Sequence, residues 1–145
     1  MLKTILLATD GSELSKKASQ AAIDFARGYG STIIGLSVVE TVPVFVMPEM
    51  GTGMDWAAIE EQIQAQSDAT LKALTAMAQK AGVPCEVYTV KGQHPYEEIL
   101  KYAELHHCDT IFMASHGRKG LDKFILGSET QKVLTHSKVP VLVFK

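Results

Sequence analysis

Short apolar segments alternate along this chain with longer segments of helical period, and this alternation constrains the fold more than any other feature. The first apolar segment, KTILLAT at 3–9, lacks the polar residue at every second position that a half-exposed strand would have. It therefore predicts a central strand that is buried on both faces. The five predicted strands cover residues 3–9, 31–40, 85–92, 109–115 and 139–144.

Four segments with helical spacing separate these strands. The first helix is predicted at about 13–29, with Ser12 as its N-cap and Gly30 just beyond its end. A second, long helix ends before Gly82, a third begins at Pro95, and a fourth covers 128–136. The second helix is indicated by Ile59, Ile63, Thr70, Leu74, Met77 and Ala81, and the inward face of the third by Tyr96, Ile99, Leu100 and Ala103.

Strict alternation of strands and helices predicts an α/β fold, a doubly wound parallel sheet of five strands with four helices on its two faces. The 145 residues, 46% of them hydrophobic, suffice for one domain that spans residues 1–145. Ligands of such folds bind beyond the carboxyl ends of the strands. The loops that follow the first and fourth strands are therefore the places to look for a site. An apolar connection with Pro and Gly, at 42–53, follows the second strand.

Charge and composition exclude several function classes. The formal net charge of −2 gives no basic excess for nucleic-acid binding. No segment reaches the roughly 18 apolar residues of a membrane-spanning helix, so we expect no membrane insertion and a cytoplasmic location. Cys85 and Cys108 are isolated from each other and from any metal-binding spacing, which predicts buried or unreactive thiols.

The loop after the fourth strand combines glycines with basic residues. Gly117 and Gly127 enclose nine residues that include Arg118, and Ser128 opens the fourth helix. Such a loop suits an anion, because backbone amides at a helix N-terminus attract negative charge. The spacing equally fits a capping box formed by Ser128 and Gln131, with Gly127 as a turn residue.

Asp10 follows the first strand in the sequence TDGS. Its carboxylate would accept hydrogen bonds from a ribose or position a metal ion. It would equally form an Asx turn that starts the first helix. Local chemistry leaves both interpretations open.

Three segments together resemble the universal stress protein family: ILLATDGSELSKKA, ASHGRKGLDKFILGSETQKVL and the terminal KVPVLVF. The ATP-binding branch of that family carries a G-x-x-G-x9-G-(S/T) loop, and Gly117, Gly127 and Ser128 fit it. Ala114 stands in place of the first glycine. Its extra methyl group is expected to weaken binding.

The resemblance implies a Rossmann-like fold, similar to adenine nucleotide alpha hydrolases, with strand order 3-2-1-4-5. It implies ATP as the ligand and leaves open whether Mg²⁺ accompanies it. Asp10 should lie near the ribose, the backbone of Val38 near adenine, and Met113 against the nucleoside. The full set of implied binding residues is Thr9, Asp10, Val38, Met113, Ala114, His116, Gly117, Arg118, Gly127, Ser128, Glu129 and Thr130.

Two of these residues raise questions. His116 fits either a phosphate contact or an ordinary turn histidine. Glu129 lies in the first turn of the fourth helix, where its carboxylate would compete with a phosphate for the positive end of the helix dipole. A working site therefore requires that this carboxylate point away.

The resemblance also implies a homodimer formed through the terminal strand at 139–144, since this strand lies at the sheet edge and carries no protective charge. Three functions fit the sequence. The first is an ATP-binding regulatory module of the stress response. The others are a slow ATPase or nucleotidyl-transfer enzyme, and a dimeric scaffold without nucleotide, for which Ala114 argues.

Overall fold

The computed structural model describes residues 2–41, 55–118 and 126–145. The predicted connection at 42–53 and most of the nine residues between Gly117 and Gly127 lie outside the described residues. In chain order the elements are β1 (Thr4–Ala8), α1 (Glu13–Tyr29), β2 (Thr32–Glu40), α2 (Trp56–Ala81), β3 (Cys85–Gly92), α3 (Pro95–Leu105), β4 (Thr110–Ala114), α4 (Ser128–His136) and β5 (Val141–Phe144).

The five strands form one parallel sheet in the order β3-β2-β1-β4-β5, so the predicted fold class and strand order are confirmed. The chain runs outward from β1 to β2 and β3, and then returns to place β4 on the other side of β1. The strand order therefore reverses between β1 and β4. Leu7 pairs with Phe112 near this point. The carboxyl ends of these two strands form the edge at which doubly wound folds bind ligands.

Alternate residues of the central strands pack against opposite helix layers. Ile5, Leu7 and Phe112 join side chains of α1 and α2 in one core cluster. Leu6 and Met113 join side chains of α3 and α4 in the other. Because both faces of β1 are covered, its apolar character at successive positions is explained as predicted.

The helix ends follow local sequence signals. The Ser12 hydroxyl accepts a hydrogen bond from Ser15 N at 3.3 Å and caps α1. Gly30 and Gly82 end α1 and α2 with φ of 69° and 71°, a left-handed conformation that glycine adopts without strain. These three predictions are confirmed.

The second helix is longer than its buried face. Its buried residues are Ser67, Leu71, Leu74 and Ala78, whereas Ile63, one of the apolar residues that indicated the helix, is 41% exposed. The burial therefore begins about three turns after the N-terminus, since a helix has 3.6 residues per turn. Apolar spacing located this helix correctly, although part of the apolar stripe that indicated it is exposed.

Candidate functional site

Two loops meet at the carboxyl ends of β1 and β4. We call residues 9–12, between β1 and α1, the first loop, and residues 115–127, between β4 and α4, the second loop; the structure describes 115–118 and 126–127 of the latter. The two strands are hydrogen-bonded neighbours. Their loops therefore leave the same edge of the sheet side by side.

The carboxylate of Asp10 joins these loops. Its Oδ1 accepts a hydrogen bond from Ser12 N at 3.0 Å, which is the predicted Asx turn. Its Oδ2 accepts one from Arg118 N at 2.8 Å, across 108 residues of sequence. Burial favours the neutral carboxyl group, but hydrogen bonds from Ser12, Arg118 and Ser15 outweigh it and hold the pKa of Asp10 below its usual value. Asp10 is therefore ionised at neutral pH.

The side chain of Arg118 also reaches the first loop. Gly11 has a φ of 76°, and a β carbon added there would overlap the Thr70 hydroxyl and lie 2.7 Å from an Arg118 guanidinium nitrogen. Arg118 thus contacts the first loop through both its amide and its side chain. This contact brings a positive charge to the junction of the two loops.

The structure gives the two motif glycines protein neighbours. A β carbon at Gly117 would overlap Oδ2 of Asp10. A β carbon at Gly127 would lie 3.1 Å from the Ser115 carbonyl oxygen and 3.3 Å from the His116 α carbon. Protein atoms therefore already fill the space that a side chain would need at either position. This gives a physical reason for both glycines that does not depend on a phosphate.

The N-terminus of α4 does not form the capping box that the sequence allowed. Gly127 is the N-cap residue and has no side chain to offer, and Gln131 donates its side-chain amide to Leu126 O at 2.7 Å. The first helical hydrogen bond runs from Gln131 N to Gly127 O at 2.9 Å. The amides of the first turn, at Ser128, Glu129 and Thr130, precede that bond and point out of the helix.

Glu129 points toward α3. Its Oε2 accepts a hydrogen bond from Tyr96 N at 2.8 Å, and its Oε1 lies 3.0 Å from the Lys132 ammonium. Pro95 at the start of α3 has no N–H, and His94 provides no side-chain cap. Glu129 therefore caps α3 from another helix, and its negative charge is paired on that side.

Val38 and Met113 lie on the same face of the sheet and pack in one cluster with α3 and α4. Thr9 instead donates its hydroxyl to Ser15 at 3.2 Å, on the α1 side, so its side chain lies on the other face. β1 pairs with β2 only as far as Ala8 and Leu36. Val38 thus lies two residues beyond the last pair.

The whole chain matches a known protein family. The model of the universal stress protein family matches residues 1–145. The chain belongs to this family. Universal stress protein MJ0531 of Methanocaldococcus jannaschii is 32% identical over 145 residues, which cover 100% of the chain and 83% of the relative. A universal stress protein of Thermus aquaticus is 30% identical, and the match covers 100% of both.

Solved structures share the fold of this universal stress protein. MJ0577 of M. jannaschii superposes with a TM-score of 0.83 at 29% identity, over 100% of the chain and 96% of the neighbour. A universal stress protein in complex with cAMP gives 0.71 at 22% identity, over 98% of the chain and 95% of that neighbour. One from Archaeoglobus fulgidus in complex with dAMP gives 0.67 at 18% identity, over 100% and 98%.

Ser115 is a residue that the sequence reasoning missed. It is buried, its carbonyl accepts a hydrogen bond from Gly127 N at 2.7 Å, and its amide donates to Phe144 O at 2.7 Å. Its hydroxyl lies 3.1 Å from Nδ1 of His116. Ser115 therefore closes the base of the second loop and ties it to β5. The available signal was its position as the first residue after β4.

Ala114 is buried at the end of β4. Its carbonyl accepts a hydrogen bond from the Thr130 hydroxyl at 3.1 Å. Side chains alternate along a strand, so its methyl group lies on the Phe112 face, opposite to Met113. The methyl group is thus on the opposite face from Val38 and Met113, the residues expected at adenine and the nucleoside.

Neither a membrane-spanning helix nor a metal-binding cluster occurs among the described residues. None of the helices in 2–41, 55–118 and 126–145 is long and apolar enough to cross a membrane. Within the same ranges, no group of three or more His, Cys, Asp or Glu side chains is arranged to hold a metal ion.

Proposed function

We propose that this universal stress protein binds an adenine nucleotide, with ATP as the first candidate, between its first and second loops. The observation that carries the proposal is the hydrogen bond from Arg118 N to Asp10, which joins the two loops where the strand order reverses. Ligands of doubly wound sheets bind at this place. The protein then acts as a nucleotide-dependent regulatory module of the stress response.

The phosphates are assigned to the N-terminus of α4. Its first-turn amides, the Ser128 hydroxyl and the positive end of the helix dipole favour an anion. The carboxylate of Glu129, which would oppose a phosphate, is bound to Tyr96 N and Lys132 instead. Gly117, Gly127 and Thr130 supply the surrounding backbone, and His116 and Arg118 supply donors. ATP would bring the negative charge that these groups attract.

The nucleoside is assigned to the other end of the site. In a parallel ladder, the backbone groups of alternate residues point to the same neighbouring strand. Leu36 O accepts a hydrogen bond from Thr9 N at 2.9 Å, so the backbone groups of Val38 point the same way, past the end of β1. These groups are available for the adenine edge, with Met113 beneath the rings. Asp10 and the backbone of Thr9 lie between adenine and phosphates, beside the ribose.

The relatives support an adenine ligand. The chain belongs to the universal stress protein family along its whole length. Two proteins of the same family and fold have been solved with adenine mononucleotides, cAMP and dAMP. Their shared component is the adenine nucleoside. The second loop of this chain adds groups suited to further phosphates.

Homodimer formation is part of the proposed function, and a catalytic activity is the second candidate. We infer a homodimer through residues 139–144, because β5 lies at the sheet edge and Leu142 is 47% exposed. A slow ATPase or nucleotidyl-transfer activity would need a base beside the phosphates. Asp10, the residue that the sequence suggested, already accepts hydrogen bonds from two backbone amides.

The test begins with denaturing extraction of purified protein and chromatography for adenine nucleotides. Stripped protein is then titrated calorimetrically with ATP, ADP, cAMP and dAMP, with and without Mg²⁺. We expect ATP to bind and Gly127→Val to weaken it at least about tenfold, because the new side chain pushes the second loop off α4. Gly28→Val is the matched control, since a β carbon added there has no neighbour within 4 Å in the described structure beyond its own part of α1.

The outcomes separate the three functions. Binding without turnover supports the regulatory module, and steady release of phosphate would move the protein to the enzyme class. No nucleotide in the extract, together with flat titrations up to millimolar concentrations of all four ligands, would refute nucleotide binding. Equal affinity of the two glycine variants would refute the placement of the site.

A further inference from the structure

The contact between Asp10 and the second loop suggests a role for this residue that does not require ribose. We propose that Asp10 is a positioning residue, whose carboxylate holds Gly117 and Arg118, at the start of the second loop, in place for phosphate binding at α4, and that Gly117 is glycine because this carboxylate occupies the place of a side chain. The inference rests on the proposed function. In this role Asp10 acts on the protein backbone, and it does so before any nucleotide binds.

Both carboxylate oxygens are already used within the protein. Oδ1 accepts from Ser12 N at 3.0 Å and Oδ2 from Arg118 N at 2.8 Å. A carboxylate suits this position because it accepts hydrogen bonds through both oxygens, whereas an amide side chain would turn an NH₂ group toward one of the two N–H donors. Burial raises and the hydrogen bonds lower the pKa of Asp10, with a net decrease, so the accepting form is present at neutral pH.

The backbone of Gly117 does not explain its identity. Among the described residues, the glycines with positive φ are Gly11, Gly30 and Gly82. Gly117 thus has a conformation that other residues also adopt. The overlap of its added β carbon with Oδ2 of Asp10 is the remaining physical reason for a glycine. Any larger residue displaces the carboxylate and removes its bond to Arg118 N.

The first experiment compares ATP with 2′,3′-dideoxy-ATP in calorimetric titrations of the wild type and Asp10→Asn. A positioning role predicts that Asp10→Asn weakens both nucleotides by the same factor, about tenfold, the effect of one lost charge-assisted hydrogen bond. A role confined to the ribose predicts a loss with ATP alone, because the dideoxy nucleotide has no ribose hydroxyls for the side chain to bind. A loss seen with ATP and absent with dideoxy-ATP would overturn the proposal.

Asp109→Asn is the matched control for stability. Asp109 also accepts hydrogen bonds from two backbone amides, Lys3 N at 2.7 Å and Thr4 N at 2.9 Å, but both at Oδ2 and at the amino ends of β1 and β4, so asparagine keeps an acceptor for both and loses only the charge. Both aspartate variants should lower the melting temperature, and Asp10→Asn alone should lower nucleotide affinity. Equal effects of the two variants on affinity would show that Asp10 acts only through overall stability.

A double-mutant cycle tests the Gly117 part of the proposal. Gly117→Ala should weaken ATP binding about tenfold when Asp10 is present and less than about twofold when Asp10→Ser has removed the carboxylate. Losses that simply add would refute the assignment. Because this cycle does not use Asp10→Asn, it also serves if that variant does not fold.

Amide hydrogen exchange separates failure of this proposal from failure of nucleotide binding. In nucleotide-free protein, Asp10→Asn should speed exchange of the Arg118 amide about tenfold and leave the Ser115 amide, bonded to Phe144 O, unchanged. An unchanged Arg118 amide would refute the positioning role even if ATP binds. Faster exchange in a protein that binds no nucleotide would refute only the proposed function.

Discussion

Replacement of Glu129 by alanine should destabilise the protein more than its sequence position suggests. A glutamate in the first turn of a helix is usually worth a few tenths of a kcal/mol through the helix dipole. Glu129 additionally caps α3, because its Oε2 accepts the bond from Tyr96 N at 2.8 Å. Loss of a cap costs about 1 kcal/mol, and a charged acceptor raises this to about 1.5–2 kcal/mol. The pair with Lys132 adds little, since the side chains are 34% and 43% exposed.

Glu13→Ala is the matched control. Glu13 also lies in the first turn of its helix and pairs with the lysine three residues later, Lys16, at 2.8 Å, but its side chain is 88% exposed and its carboxylate caps no other helix in the described structure. The difference between the two variants therefore isolates the bond to α3. For a chain of 145 residues, 1.5–2 kcal/mol corresponds to about 4–7 °C in melting temperature.

The assay is urea unfolding followed by circular dichroism, with thermal melts in parallel. Glu129→Gln should fall between the wild type and Glu129→Ala, because glutamine keeps an acceptor for Tyr96 N and loses only the charge. Equal free energies of unfolding for Glu129→Ala and Glu13→Ala would refute the inter-helix cap. A lower urea dependence in one variant alone would show instead that the variant changed the compactness of the denatured or native state, or that its unfolding is no longer two-state.

Two further predictions concern thiols and assembly. Burial, together with a neighbouring carboxylate, raises the pKa of both Cys85 and Cys108 to about 11. Iodoacetamide at pH 8 should therefore modify the native protein about a hundredfold more slowly than the urea-unfolded chain, and mass spectrometry should show the native rate rising with pH. Equal rates for the native and the unfolded protein would contradict this. Light scattering should show that Leu142→Lys converts the inferred dimer to a monomer. Leu105→Lys, which changes a residue 62% exposed on α3, should leave the dimer intact. A monomeric wild type would refute the dimer.

The elements were predictable from the sequence because their signals are local. Ser12 caps the helix that starts at the next residue, and Gly30 and Gly82 end helices through their own backbone conformations. The strand order was different, since nothing within any one segment fixes its neighbours in the sheet. That order came from the resemblance to the family.

The contacts of the site were not predictable in the same way. The bond between Asp10 and Arg118 crosses 108 residues, and that between Glu129 and Tyr96 crosses 33. Each depends on how two distant segments dock, so the sequence showed only that a carboxylate was present. For Asp10 the sequence offered either an Asx turn or a contact with a ribose or metal ion, and the structure shows the turn together with a second partner, Arg118 N, that neither alternative included.

The contacts of Ala114 and Glu129 bear on the hypothesis of a nucleotide-free scaffold. In the sequence, the methyl group of Ala114 argued for the scaffold, and the charge of Glu129 argued against a phosphate at α4. The methyl group lies on the Phe112 face, and the carboxylate is bound to α3. The Glu129 charge then gives no reason for an absence of nucleotide, and the Ala114 methyl group lies away from the side chains expected at the nucleoside. The titrations of stripped protein therefore decide between the scaffold and the nucleotide-binding module, and flat curves for all four ligands would leave the scaffold.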